Sequence, residues 1–170
     1  YVDDYLSKDE IVNFLLEDST KFRIFDFLGP QNKWATFHIE NINGYHPAKL
    51  DNYNKLIIKM KTKGYALWPP SILKLLNVKY LIMPHDNFNH PDFEKKISSN
   101  MYYFGGDKRY DGKKIQSYVY KYKNYYPRLF YTENIDNVLD EDVYDIIADE
   151  NFDPIKNSYI YENEKISFNF

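Results

Sequence analysis

Ser71-Ile72-Leu73-Lys74-Leu75-Leu76-Asn77-Val78-Lys79-Tyr80-Leu81-Ile82-Met83 changes its period half-way. Pro69 and Pro70 reset the chain, so Ser71 to Leu76 reads as a brief helix. Val78, Tyr80, Leu81, Ile82 and Met83, interrupted only by Lys79, have the β-branched, aromatic and aliphatic composition of a buried strand. A short helix feeding directly into a buried strand belongs to a chain that alternates the two element types. Pro84 to Pro91 follows as a loop rich in Pro, Asn, Asp and His.

Upstream, Ser7 and Glu10 fit a capping box, with Ile11, Phe14 and Leu15 at helical spacing, giving a helix from Lys8 to Glu17. Lys21 to Leu28 reads as a strand in which Arg23 and Asp26 alternate with apolar residues and Gly29-Pro30 ends the run. Asn32 to Tyr45 has no clear period and reads as an irregular loop. Pro47 then suits a helix's first turn, and Leu50, Tyr53, Leu56, Ile57 and Met60 form an apolar stripe to about Lys61, with Gly64 beyond the end.

Downstream, Asp92 to Ser98 suggests one or two helical turns, whereas Met101 to Phe104 and Lys113 to Lys123 read as paired strands around Gly105-Gly106. Arg128 to Thr132 suggests a further strand, Asp140 to Asp149 an acidic amphipathic helix, and Tyr159 to Tyr161 with Ile166 to Phe170 the last strands. This order predicts an α/β (or α+β) fold in which helices flank a mixed β-sheet. At 170 residues, a single domain, 1–170, is the expectation. A mean hydropathy of −0.65, 28% charged residues and the absence of an unbroken apolar run describe a water-soluble piece. The opening YVDDYLSKDE lacks the basic and apolar regions of an export signal, and the last strand pattern is cut short, so the chain reads as excised from something longer.

Composition excludes several chemistries. With no cysteine, thiol catalysis, disulfides and Cys-based zinc sites are all excluded. A net charge of −3 argues against nucleic acid as a partner. The glycines, at 29, 44, 64, 105, 106 and 112, form neither GxGxxG nor GxxxxGK[ST], and no serine sits in GxSxG. No cofactor is expected. His85, Asp86, His90 and Asp92 share one loop but lack zinc spacing such as HExxH, and a solvated turn explains them, so no metal is expected. Asp142, Asp145 and Asp149 share a helical face without an EF-hand glycine, which suits a solvated face better than calcium. A carboxylate pair for glycoside hydrolysis stays open. The aromatic share of 19% has two explanations, codon bias or a binding surface. Tyr118, Tyr120, Tyr122, Tyr125 and Tyr126, with Lys121, Lys123 and Arg128 among them, suit a half-buried edge strand, with base or sugar stacking as the competing reading.

Asn43 to Leu50, NGYHPAKL, puts Tyr45, His46 and Lys49 on a turn feeding a helix start, where free N–H groups attract anions. Four stretches here resemble the YfhO family of bacterial multi-spanning membrane proteins, in the soluble region after their membrane helices. FRIFDF (Phe22 to Phe27) is similar to the family's RVxDL strand, and NGYHPAKLDNYNKLI (Asn43 to Ile57) to its GGYxxAKLxxYxxLI helix start. LLNVKYLIM (Leu75 to Met83) resembles MLNVKYII, and YPRLFY (Tyr126 to Tyr131) resembles LPRAF. Asn43 departs from the family's first glycine. The resemblance implies the C-terminal extracytoplasmic domain of a C-type glycosyltransferase-like membrane protein. Such a parent uses polyprenyl-phosphate-linked sugars in cell-envelope glycosylation and carries its catalytic acid in a loop between membrane helices. The fragment itself is then an accessory, not a catalyst, and its partners are the parent's membrane helices and a carbohydrate or lipid-linked sugar. Under that reading Trp34 and Tyr45 stack on sugar faces while His46 and Lys49 meet a phosphate or hydroxyl. A structural role for the same motif, and a non-catalytic carbohydrate- or protein-binding envelope module using the Tyr-rich strand, are the alternatives.

Overall fold

The computed structural model describes residues 6–28, 32–43, 51–62, 69–103, 112–139, 142–149 and 151–161. The chain forms two compact units, Tyr1–Pro47 with Leu76–Arg128, and Ala48–Leu75 with Leu129–Phe170. The expected mixed α/β class holds.

The first unit is built on a five-stranded mixed sheet. Its strands are β1 (Arg23–Asp26), β2 (Glu40–Asn41), β3 (Val78–Met83), β4 (Phe93–Tyr103) and β5 (Lys113–Tyr122), in the order β2-β1-β3-β5-β4. β1 runs parallel to both β2 and β3, and β5 pairs antiparallel with β3 and β4. Register sets the core: Ile24 lies opposite Tyr80, Asp26 opposite Ile82, and Ile82 opposite Val119. On this row pack Ile11, Val12 and Leu15 of helix α1 (Glu10–Leu16), each at most 1% exposed. Burial on that scale is worth about 1.5–3 kcal/mol per side chain. Asp9, not Ser7, caps α1: its Oδ1 accepts from the Val12 N–H at 2.9 Å and its Oδ2 from the buried Lys33 Nζ at 2.7 Å.

Two elements occupy the stretch expected to be irregular. Helical turn α2 (Lys33–Thr36) precedes β2, and it closes with His38 in the left-handed region, φ 57°. The His38 N–H donates to the Ala35 carbonyl (3.1 Å) and the Ile39 N–H to the Trp34 carbonyl (2.9 Å), the two bonds of a Schellman stop. Trp34 and Ile39 then enter the core together.

Asp92 to Ser98 is not helical. From Phe93 it belongs to β4, where Phe93 pairs with Tyr122 and the register shifts between Lys95 and Ile97, a bulge that blurs the alternation. β5 is an interior strand rather than an edge, and Tyr120 and Tyr122 are buried. Arg128 to Thr132 forms no strand; Leu129 and Tyr131 are 88% and 96% exposed.

The second unit contains α3 (Asp51–Thr62), α4 (Pro70–Leu75), β6 (Asn134–Val138), α5 (Val143–Ile147) and β7 (Asn157–Tyr161). α3 and α4 lie within the expected helices to a few residues, and α5 is the core of the expected acidic helix. β6, which no alternation announced, pairs parallel with β7. Lys59 on α3 bonds Asp145 on α5 at 2.7 Å. Residues 166–170 lie outside the described residues. Among the described residues no helix is long and apolar enough to cross a membrane.

Candidate functional site at the carboxyl ends of the parallel strands

β2 lies on one side of β1 and β3 on the other, so the chain reverses its winding direction between β1 and β3. In open α/β sheets the crevice beyond the carboxyl ends of the strands at such a point is where ligands bind, because the loops there diverge. The residues at the end of β1 form a closed polar knot. Asp26 is 0% exposed; its Oδ1 accepts from the Leu28 N–H (2.9 Å) and its Oδ2 from Trp34 Nε1–H (2.8 Å). At the end of β2, Asn41 Oδ1 accepts from the N–H of Asp26 (3.3 Å) and of Asn43 (3.1 Å). Asn43 Nδ2 returns to the Asp26 carbonyl at 3.1 Å. Three side chains and an indole thereby hold the backbone that leads into Gly44.

Trp34 is the one expected site residue among the described residues, and the structure corrects its role. The indole is 1% exposed and belongs to the core cluster, so it has no face to offer a sugar; it supports Asp26 instead. Tyr45, His46 and Lys49 lie outside the described residues. Asp26, with both carboxylate oxygens engaged, is a positioning residue and not a free base. Asn41 Nδ2 is buried without a hydrogen-bond partner, an amide donor available to a water or another oxygen. Asn43, where the resembled family has glycine, supplies the bond to Asp26 that a glycine cannot make.

The other candidate chemistries come apart. Asp86 Oδ1 accepts from Lys95 Nζ (2.7 Å) and Tyr120 OH (3.3 Å), His90 Nδ1 accepts from the Asp92 N–H (3.2 Å), and Asp92 Oδ1 accepts from Asn124 (3.1 Å). These bonds, with His90 stacked on Phe88, staple the loop between β3 and β4. No group of three or more metal-ligating side chains occurs among the described residues. Asp136, Asp142, Asp145 and Asp149 are all exposed, so among the described residues the acidic cluster gives no pair of facing carboxylates in differing environments; Asp140, Glu141 and Glu150 lie outside the described residues. Burial of Tyr120 and Tyr122 removes both from any binding surface.

The polar residues of LLNVKYLIM are structural. Lys79, 4% exposed, pairs with Asp18 Oδ2 (2.5 Å), donates to Thr20 Oγ1 (2.8 Å) and lies 4.7 Å from the Tyr125 ring centroid. Tyr80 OH donates to the same Asp18 oxygen at 2.6 Å. Burial alone would raise the Asp18 pKa, but the hydrogen bonds from Lys79, Tyr80 and Thr20 outweigh it and hold the carboxyl well below its usual range. Burial, then the hydrogen bond to Asp18 and the Asp18 charge, pushes the Tyr80 phenol above its usual range. Asn77 takes a left-handed turn, φ 55°, and donates to the Tyr126 carbonyl at 2.6 Å.

No family model, no curated protein and no solved structure matches this chain.

Proposed function

We propose that this chain is the extracytoplasmic accessory domain of a YfhO-like, glycosyltransferase-like membrane protein of the cell envelope, and that the NGYHPAKL segment helps shape the binding of an acceptor or a lipid-linked sugar. The observation that carries the reading is the knot of Asp26, Asn41 and Asn43 at the β1/β3 switch point, immediately before Tyr45, His46 and Lys49. The buried Asp26 at the end of β1 costs desolvation energy, and with the partly buried Asn41 and Asn43 it supports the positioning of the segment that follows. Tyr supplies a ring for a sugar face, while His and Lys supply donors for a hydroxyl or phosphate. Trp34 acts in this reading through Asp26 only.

The test is alanine replacement of Tyr45, His46 and Lys49 in the full-length parent, with envelope glycosylation as the readout and unfolding of the isolated domain as the control. Lost glycosylation with an unchanged unfolding midpoint is the expected result. Unchanged glycosylation in a folded triple variant removes the site. A coding sequence upstream of Tyr1 with a signal peptide and no apolar helices would favour the free envelope module instead.

A further inference from the structure

Asn43 is the only asparagine in the chain followed by glycine. Glycine has no Cβ to shield its backbone nitrogen, so in an Asn-Gly dipeptide that nitrogen reaches the preceding side-chain carbon with the least hindrance. The same asparagine is tied down at both ends: its N–H donates to Asn41 Oδ1 and its Nδ2 to the Asp26 carbonyl, each at 3.1 Å. We infer that Asn43-Gly44 is a self-modification site, restrained by the folded polar knot, whose conversion to aspartate or isoaspartate breaks that knot. This inference stands on the chemistry of the dipeptide and is independent of the proposed function.

The step balances without an oxidant or cofactor. The deprotonated Gly44 backbone nitrogen attacks Asn43 Cγ, the Cγ–Nδ2 bond breaks, and the amide nitrogen leaves as ammonia after taking a proton from solvent. Water then opens the cyclic imide at either carbonyl, giving aspartate or isoaspartate. The reaction needs the Asn43 side chain to leave Asp26, so its rate follows local opening of the knot. Its product carries a carboxylate, which accepts hydrogen bonds and cannot donate to the Asp26 carbonyl. An acceptor then faces an acceptor beside the buried Asp26 carboxylate, and in isoaspartate the main chain between residues 43 and 44 is also longer by one methylene.

Peptide mapping of the folded chain and of the same chain in concentrated urea, incubated at mildly alkaline pH, measures aspartate and isoaspartate formation at position 43. Asn157, followed by Ser158, serves as an internal reference. Formation at Asn43 is expected to be roughly tenfold or more slower in the folded chain, because the opening step must precede it. Asn41→Ala is expected to raise the folded-state rate toward the urea value. The deamidated wild-type species, separated by ion exchange, is expected to unfold at lower urea than the unmodified chain, and this measurement does not depend on the variant folding. Equal rates at Asn43 in the folded and urea-treated chains, or an unchanged unfolding midpoint after deamidation, overturns the inference.

Discussion

The Trp34 indole N–H donates to Asp26 Oδ2 at 2.8 Å, with the two residues 1% and 0% exposed. This bond joins the turn after β1 to the carboxyl end of β1 itself, so a core residue and a polar knot depend on each other. Trp34→Phe retains most of the apolar volume and leaves Asp26 Oδ2 without its indole donor. A loss of about 1.5–3 kcal/mol in urea-unfolding free energy is expected, the value for a buried hydrogen bond to a charged group. An unchanged midpoint would mean that the bond contributes nothing.

Lys79 and Asp18 form a buried ion pair at the sheet's other end, with side chains 5% and 13% exposed. Lys79→Met removes the cation and leaves Asp18 in place, at an expected cost of about 3–5 kcal/mol. The double variant Lys79→Met with Asp18→Asn should recover part of that loss, since no unpaired charge remains.

The pH dependence of this pair has a definite sign. Asp18 has a depressed pKa in the folded state, so the unfolded chain takes up the proton first as pH falls. Its stabilising contribution is complete above the ordinary carboxylate pKa and is lost progressively as pH falls from there through the depressed folded-state value. Acid titration of stability should therefore be steeper for the wild type than for Asp18→Asn, and the two curves should converge at the acid end.

His38 occupies the left-handed position of the Schellman stop after α2, where an L side chain is strained. It is exposed. His38→Gly relieves the strain and is expected to raise stability by about 1 kcal/mol, partly offset by the greater freedom of the unfolded chain. A lower melting temperature for this variant would contradict that assignment.

Tyr122 is fully buried and its hydroxyl has no hydrogen-bond partner. Burial, followed by the Asp92 charge, pushes the phenol's pKa above its usual range. Tyr122→Phe deletes an unsatisfied polar group while retaining the ring stacked on Phe93, whose centroid lies 4.8 Å away. Calorimetry should show equal or greater stability, by up to about 1 kcal/mol, where most core truncations would lower it.

Composition and period were enough to identify β3 to the residue, the cores of α3 to α5, and the alternation of helices and strands, because these signals are local. The same local reading places Asp26 in a strand among apolar residues and assigns it no burial. Its burial follows from where β1 lies, between β2 and β3 and covered on both faces, and strand order is not written in any one segment. Asn41 and Asn43 lie in the stretch that reads as an irregular loop, and only the pairing of β2 with β1 brings them to Asp26. Trp34 is expected to stack on a sugar but lies in the core, and that position depends on helices and strands far away in sequence. The first half of β4 escaped notice because its bulge disrupts the two-residue period, and its hydrogen bonds go to β5 rather than to neighbours along the chain. The sequence by itself therefore determined the element types where burial repeats with a single period. The tertiary structure alone decided which polar residues are enclosed, because enclosure depends on long-range pairing whose partners are remote in the chain.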